Sequence, residues 1–250
     1  MAARSFLGAG DIYIERLVAG VSQGLVGPIY AEKFEIKPNV EKKESTSKGK
    51  NDYGQVLESV SIAKPAELTL ELKEVVGDIL VMAFLGTSTT LTQSSGTMTD
   101  QAFTAKKGFW VPLNHKNLTG TITIENSGGT VTYVENTDYV LNRDMGWVKI
   151  LTASAIADAA TLHASGTYGA ASGSVISGAT QTEVRAKIFF DGKNQADGSM
   201  CQVTVWEAIV AADSAFDFLA NDFGTVSLKG SMKTPVGKTE PFIVELQPVA

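Results

Sequence analysis

Cysteine is almost missing from this chain. Cys201 is the only one in 250 residues, so no intrachain disulfide framework exists and a reducing compartment fits. Histidine is nearly as scarce: His115 and His163 are the only two, which leaves little for metal or triad chemistry. Long apolar runs are lacking too. The longest, Ile79–Leu85, falls far short of the roughly 20 residues that a bilayer-spanning helix needs. The first ten residues carry no apolar segment of signal-peptide type, and the expectation is a protein kept in cytoplasm-like conditions. Basic residues are outnumbered, 21 Lys plus Arg against 27 Asp plus Glu, for a net charge of -6. A protein that wraps nucleic acid reads basic, so this balance argues against one.

Apolar material is ample. Hydrophobic residues make up 44% and charged ones 19% of the chain, which excludes wholesale disorder and a collagen-like repeat. The prevailing pattern is short strands. Asp11–Val18 is β-branched and aromatic, and Tyr30–Lys37 alternates apolar with polar, as a half-buried strand does. Glu41–Asp52 then passes without one apolar side chain; such a segment buries nothing by itself and is expected to be a mobile loop. Val56–Ile62 and Ala66–Leu72 resume strand character around Pro65. At Lys73 the period changes. Val75, Val76, Ile79, Leu80, Ala83 and Phe84 fall at helical spacing, with Gly86 as the stop, and this predicts one helix pressed against a sheet.

Thr87–Thr99, rich in Ser, Thr and Gly, reads as a linker or an exposed hairpin, and Ala170–Thr180, rich in small residues, as a linker. Between them lie Gly120–Glu125, Thr130–Val134, Tyr139–Leu141 and Trp147–Leu151, short runs separated by turn residues. That spacing predicts a small β-sandwich of its own. Strands return at Glu183–Phe190 and Met200–Glu207, while Asp213–Gly224 suits a strand by Phe216, Phe218 and Ala220 and a helix turn by Phe216, Leu219 and Phe223.

Chemistry motifs are sparse. Gly20-Val-Ser-Gln-Gly24 has the spacing of a nucleophile elbow around Ser22, but Gly27-Pro28 follows where that motif needs a helix. Gly237-Lys-Thr239 resembles the end of a P-loop, yet Pro235 and Pro241 flank it and no helix N-terminus is at hand. Asp191–Gly198 is rich in oxygen ligands without EF-hand spacing and reads as a hairpin turn. Cys201 alternates with Val203 and Val205, as a small core residue would. These readings specify no enzyme, metal or cofactor.

The organisation says more. A long polar segment joins two early strands, one apolar helix follows a strand ending in Glu-Leu-Lys-Glu74, and Ile188-Phe-Phe-Asp-Gly-Lys-Asn194 precedes a pair of strands ending in Val226-Ser-Leu-Lys-Gly230. In these respects the chain resembles the tail tube (major tail) proteins of long-tailed bacteriophages, over roughly residues 10–90 and 180–248. The resemblance implies a mainly β fold: a β-sandwich or barrel-forming tube domain with one flanking α-helix, formed by residues 1–104 and 170–250. Residues 105–169 would form an inserted small β domain. It implies a structural virion protein, not an enzyme and without cofactors, whose copies form stacked, hexameric rings. The hollow tail tube would enclose the tape measure protein and conduct double-stranded DNA during ejection. Its other partners would be the tail terminator and tail tip proteins, with no membrane involved. Its place would be the virion tail, assembled in the host cytoplasm. Lys42, Lys43, Lys48, Lys50 and Asp52 would then form an inter-ring stacking loop meeting carboxylates of the next ring. The competing expectation is a β-sandwich adhesin or carbohydrate-binding decoration protein of a virion.

Overall fold

A computed structural model describes residues 5–75 and 77–247. The fold is mainly β, with one helix. In chain order the elements are β1 (Gly8–Val18), β2 (Val21–Ile29), β3 (Ala31–Thr46), β4 (Val56–Leu72), α1 (Gly77–Ala83), β5 (Thr87–Gln93), β6 (Gly96–Thr104), β7 (Trp110–Pro112), β8 (Leu118–Asn126), β9 (Thr132–Tyr133), β10 (Tyr139–Asn142), β11 (Trp147–Ile150), β12 (Thr161–Tyr168), β13 (Ala171–Ser177), β14 (Val184–Asn194), β15 (Met200–Ala212), β16 (Val226–Met232) and β17 (Phe242–Gln247). Two compact units result. One takes in Met1–Ser88 and Ile176–Ala250, the other Thr89–Val175.

The first unit is built on one large sheet in the order β2-β1-β14-β15-β16-β4-β3, with β17 paired to β15 off this path. β15 therefore serves two neighbours on one edge: Met200–Val205 pair with β17, and Ala208–Ala212 pair with β16. The sheet forks at Trp206 and Glu207. There the Trp206 amide donates to the Pro241 carbonyl (3.1 Å) and the Lys233 amide to the Glu207 carbonyl (2.8 Å). The Glu207 side chain, buried at the fork, accepts from Arg185 (2.8 Å) and lies 3.5 Å from the Lys233 ammonium. A carboxylate taken out of water needs such partners.

β2 and β3 stand at opposite ends of the path, yet only Tyr30 separates them. One residue spans at most about 3.6 Å, so the sheet must curl far enough to bring the end of β2 to the start of β3, although no ladder joins the two strands among the described residues. The Lys73 amide donates to the Tyr30 carbonyl at 2.9 Å. Phe34 of β3 stacks on Phe190 of β14 across the interior, centroids 5.5 Å apart. Ile12, Ile14, Leu68, Leu70, Leu72, Ile188, Val205 and Leu228 fill the space between. Leu68, Leu70 and Leu72 lie on one face of β4, as period two dictates.

The helix is shorter than its apolar spacing predicts. It spans Gly77–Ala83 rather than running from Val75 to Gly86, with Val76 outside the described residues. Ile79, Val81, Met82 and Ala83 are buried, and the helix packs on β15 and β16. Its end is a Schellman motif. Leu85 takes a positive φ of 48°, its amide donates to the Met82 carbonyl (3.2 Å), and the Gly86 amide donates to the Val81 carbonyl (2.8 Å). A Cβ on Gly86 would meet the Ser177 carbonyl oxygen at 2.7 Å, so glycine is required here by the returning chain. The left-handed residue is Leu85, one position earlier than the sequence pattern suggests.

The second unit holds a four-stranded sheet, β6-β12-β8-β9, and a three-stranded one, β10-β11-β7. Met98, Phe103, Ile122, Ile124, Tyr139, Ile150 and Leu162 belong to its separate core. The buried Tyr139 hydroxyl donates to the Ile122 carbonyl at 2.7 Å, and burial pushes its pKa up. This unit is larger than residues 105–169. Thr87–Thr99, expected as a linker or exposed hairpin, contributes β5 and the start of β6, and Ala170–Thr180, expected as a linker, contributes β13; β5 pairs with β13 rather than with β6. Threonine is a strand former, and β6 pairs with β12 from Gly96–Tyr168 to Thr104–Thr161. Asp213–Gly224 forms neither strand nor helix.

Leu70 is fully buried near the C-terminal end of β4, between β3 and β16. Leu70→Ala is expected to cost about 2–5 kcal/mol. In a chain of this size that lowers Tm by roughly 4–20 °C, measurable by thermal circular dichroism.

Candidate assembly interface

The polar segment Glu41–Asp52 is not a free loop. Its first half completes β3, paired residue by residue with β4: Glu41 with Ile62, Lys42 with Ser61, Lys43 with Val60, Glu44 with Ser59 and Ser45 with Glu58. A ladder satisfies backbone groups without burying side chains, so a polar strand is stable beside an apolar one. β16 pairs with β4 only from Glu67 to Leu72. From Asn39 and Lys64 outward, β3 and β4 therefore have only each other among the described residues, and they leave the sheet as a two-stranded arm.

The arm's root is written in proline. Pro38 and Pro65 both fall in the register shift between the Lys37–Glu67 and Asn39–Lys64 pairs. Neither can donate a ladder hydrogen bond, so the ladder is interrupted where the arm departs. At the other end Ser47 organises the tip. Its amide donates to the Gln55 carbonyl (2.7 Å), its carbonyl accepts from Gly54 (2.8 Å), and its hydroxyl accepts from the Gly49 amide (3.0 Å).

The five residues of the expected stacking loop thus divide. Lys42 and Lys43 lie on β3 and point to opposite faces of the arm. Lys42 pairs with Glu44, and Lys43 lies 3.9 Å from Glu41, which also holds Lys64 at 2.5 Å. Exposed pairs of this kind add little stability. Lys48, Lys50 and Asp52 belong to the tip, and the two lysines there have no ion-pair partner among the described residues.

The arm also carries apolar side chains that the polar reading of Glu41–Asp52 passes over. Val40, Val56, Leu57, Val60 and Ile62 are 40–64% exposed, and Tyr53 at the tip is 79% exposed. Val60 and Ile62 share a face with Lys43 and Glu41, whereas Val40 shares the other with Ala63. Two further surfaces are open. β2 ends the sheet path, and β17 pairs only with β15. Val21 and Leu25 on β2, and Val244 and Leu246 on β17, are 50–67% exposed. Unpaired strand edges of this kind are templates for another chain.

The remaining motifs lead elsewhere. Ser22 lies on β2 after the Ala19-Gly20 turn, and its hydroxyl accepts from the Gly24 amide (3.1 Å). His163 holds Asp100 at 2.6 Å, and His115 stacks on Tyr168. Of Asp191–Gly198, expected as a turn, Asp191–Asn194 is the end of β14 and the turn toward β15 begins at Gln195; there Ser199 hydrogen bonds hold the Asp197 carboxyl below its ordinary pKa. Among the described residues no cluster of three His, Cys, Asp or Glu is placed to hold a metal ion, and no helix is long and apolar enough to cross a membrane. Cys201 is buried on β15, and burial pushes its thiol pKa up.

A family model described as "Protein of unknown function UCP028589" matches residues 5–239. The chain belongs to this family. No curated protein matches it. The span shared with the family takes in the whole arm and the inserted unit and stops before β17.

The arm can be removed at a cross-strand pair. Replacing Glu41–Ile62 by Asn-Gly joins Val40 to Ala63 through a two-residue hairpin turn. The variant is expected to keep its far-UV circular dichroism shape and its Tm, because no buried core residue is lost. A collapsed melt would mean that the arm supports the core.

Proposed function

We propose that this protein is a tube subunit of a long-tailed phage virion, polymerising as stacked rings into a hollow tail tube. The observation that carries the reading is the arm: a two-stranded ribbon with apolar side chains on both faces, projecting from a sheet whose own edges are open. A ribbon of two strands is marginal alone in water, and exposed apolar strand surface is an aggregation hazard unless a partner covers it.

Assembly follows from the edges. The layer β2-β1-β14-β15-β17 ends in β2 on one side and β17 on the other. Pairing β2 of one copy with β17 of the next is a heterologous contact, which closes into a ring when the rotation fits. Six copies complete the ring in this reading. The arm then bridges rings, with Lys48 and Lys50 at its tip free to meet carboxylates.

The outward face of that layer forms the tube wall. It carries Asp11, Glu15, Asp191 and Glu245 beside Arg185, Lys187 and the exposed Lys193. Arg185 is held by Glu183 and Glu207, and Lys187 stands over the rings of Phe189 and Trp206. A wall without a run of free cations releases DNA instead of capturing it by counterion exchange. The tube would enclose the tape measure protein and be closed by terminator and tip proteins.

Negative-stain microscopy of the purified chain is expected to show tubes or stacked annuli with a central channel. Dispersed monomers at high concentration would overturn the reading. The armless variant is expected to stay folded and to stop at single rings or monomers; normal tubes from it would remove the arm from elongation.

A further inference from the structure

The fork in the sheet leaves an apolar groove of about 660 Å³ between β1, β3, β14, β15 and β17. Phe34, Ile36, Phe190, Phe242 and Val244 are among the residues lining it. Water accounts for about 30 Å³ per molecule, so a groove of this size is filled by several side chains rather than by one. We propose that it is a receptor for the arm of a second copy of this chain, whose Val60 and Ile62 seat in it. The proposal rests on the tube reading and gives the ring-to-ring contact its chemistry.

Three observations select this occupant. The first is geometric. Phe34, Ile36 and Pro38 of β3 line the groove, and the same strand continues from Asn39 as the arm. At about 3.3 Å per residue, Asn39–Thr46 carries the tip on the order of 26 Å away. The ladder with β4 is maintained to Thr46, so the arm does not fold back into the groove at its own root. A copy displaced along the arm presents its groove where the arm arrives. Such a contact is head-to-tail and repeats without closing, which builds a stack.

The second observation is the match of surfaces. The groove is lined mainly by apolar and aromatic side chains, with Glu32 and Lys33 its only charged ones among the described residues. The apolar tract Val56–Ile62 contains one charge, Glu58. Val60 and Ile62 share their face of the arm with Glu41, Lys43, Glu58 and Lys64, charges that the groove's Glu32 and Lys33 can meet. The third is the backbone. β16 leaves β4 before the arm begins, and β3 ends the sheet path. The arm's β4 and the groove's β3 thus each keep an edge without a ladder partner among the described residues. An incoming strand that pairs with an open edge while alternate side chains fill a pocket is a general recognition mode.

The test uses the scarcity of cysteine. In a Cys201→Ser background, Val60→Cys marks the arm and Val244→Cys marks the groove; both positions are half exposed, so folding is preserved. Mild oxidation of the assembled double variant is expected to give a ladder of covalent multimers on a non-reducing gel, lost on reduction. A control pairing Val60→Cys with Val236→Cys, on a fully exposed turn, is expected to give none. Tubes under the microscope without a ladder would overturn the groove assignment and leave the tube reading intact. A ladder without tubes would retain the groove contact and overturn the tube reading. Dimers alone would mean a reciprocal exchange and overturn head-to-tail docking. A ladder in the control would mean collisional cross-linking, and the assignment would fall.

Discussion

One strand with two partners on the same edge governs this molecule. β15 cannot hold β16 and β17 along its whole length, so it holds each along part of it, and the sheet divides into two layers. The division is fixed by the Trp206 and Lys233 amides and by a buried carboxylate between two cations. Loss of either cation would leave Glu207 charged and poorly solvated, a costly state. The curl of the sheet, the groove in the fork and the departure of the arm are downstream of that junction.

The arm shows how composition alone can mislead. Twelve residues without an apolar side chain cannot form a core, and the inference of a mobile loop follows if burial is the only route to order. A ribbon has another route. Its backbone is satisfied by the partner strand, and that partner carries the valines, leucine and isoleucine. The signal was present in the spacing: Pro38 and Pro65 stand equally far from the Asn51–Asp52 tip, as the two roots of one hairpin must.

Much of the rest was legible. The alternation in Tyr30–Lys37 and Leu68–Leu72, the turn at Asp197-Gly198 and the core place of Cys201 follow from period and turn chemistry, whereas Asp191-Gly192, a turn by its chemistry, is paired within β14. The helix was legible in kind but not in length, because Val75 belongs to the helical period while the fold begins the helix at Gly77. The limits of the inserted unit were obscured by threonine, which reads as linker by polarity and as strand by β-branching. Open edges are invisible to any one-dimensional pattern. Which strand lacks a neighbour is a property of topology, and so the exposed faces of β2 and β17 emerged only with the sheet order.

The adjacency of β5 and β13 has a consequence for how such a chain can vary. The polypeptide leaves the first unit and returns to it through two strands that pair with each other. From the first unit's side, the intervening residues are the turn of a hairpin, however many there are. Loop closure grows only slowly more costly with length, and a segment with its own core holds its own ends together. This crossing is therefore a graft point, where a domain can be gained, exchanged or deleted over evolutionary time without re-registering any strand of the large sheet.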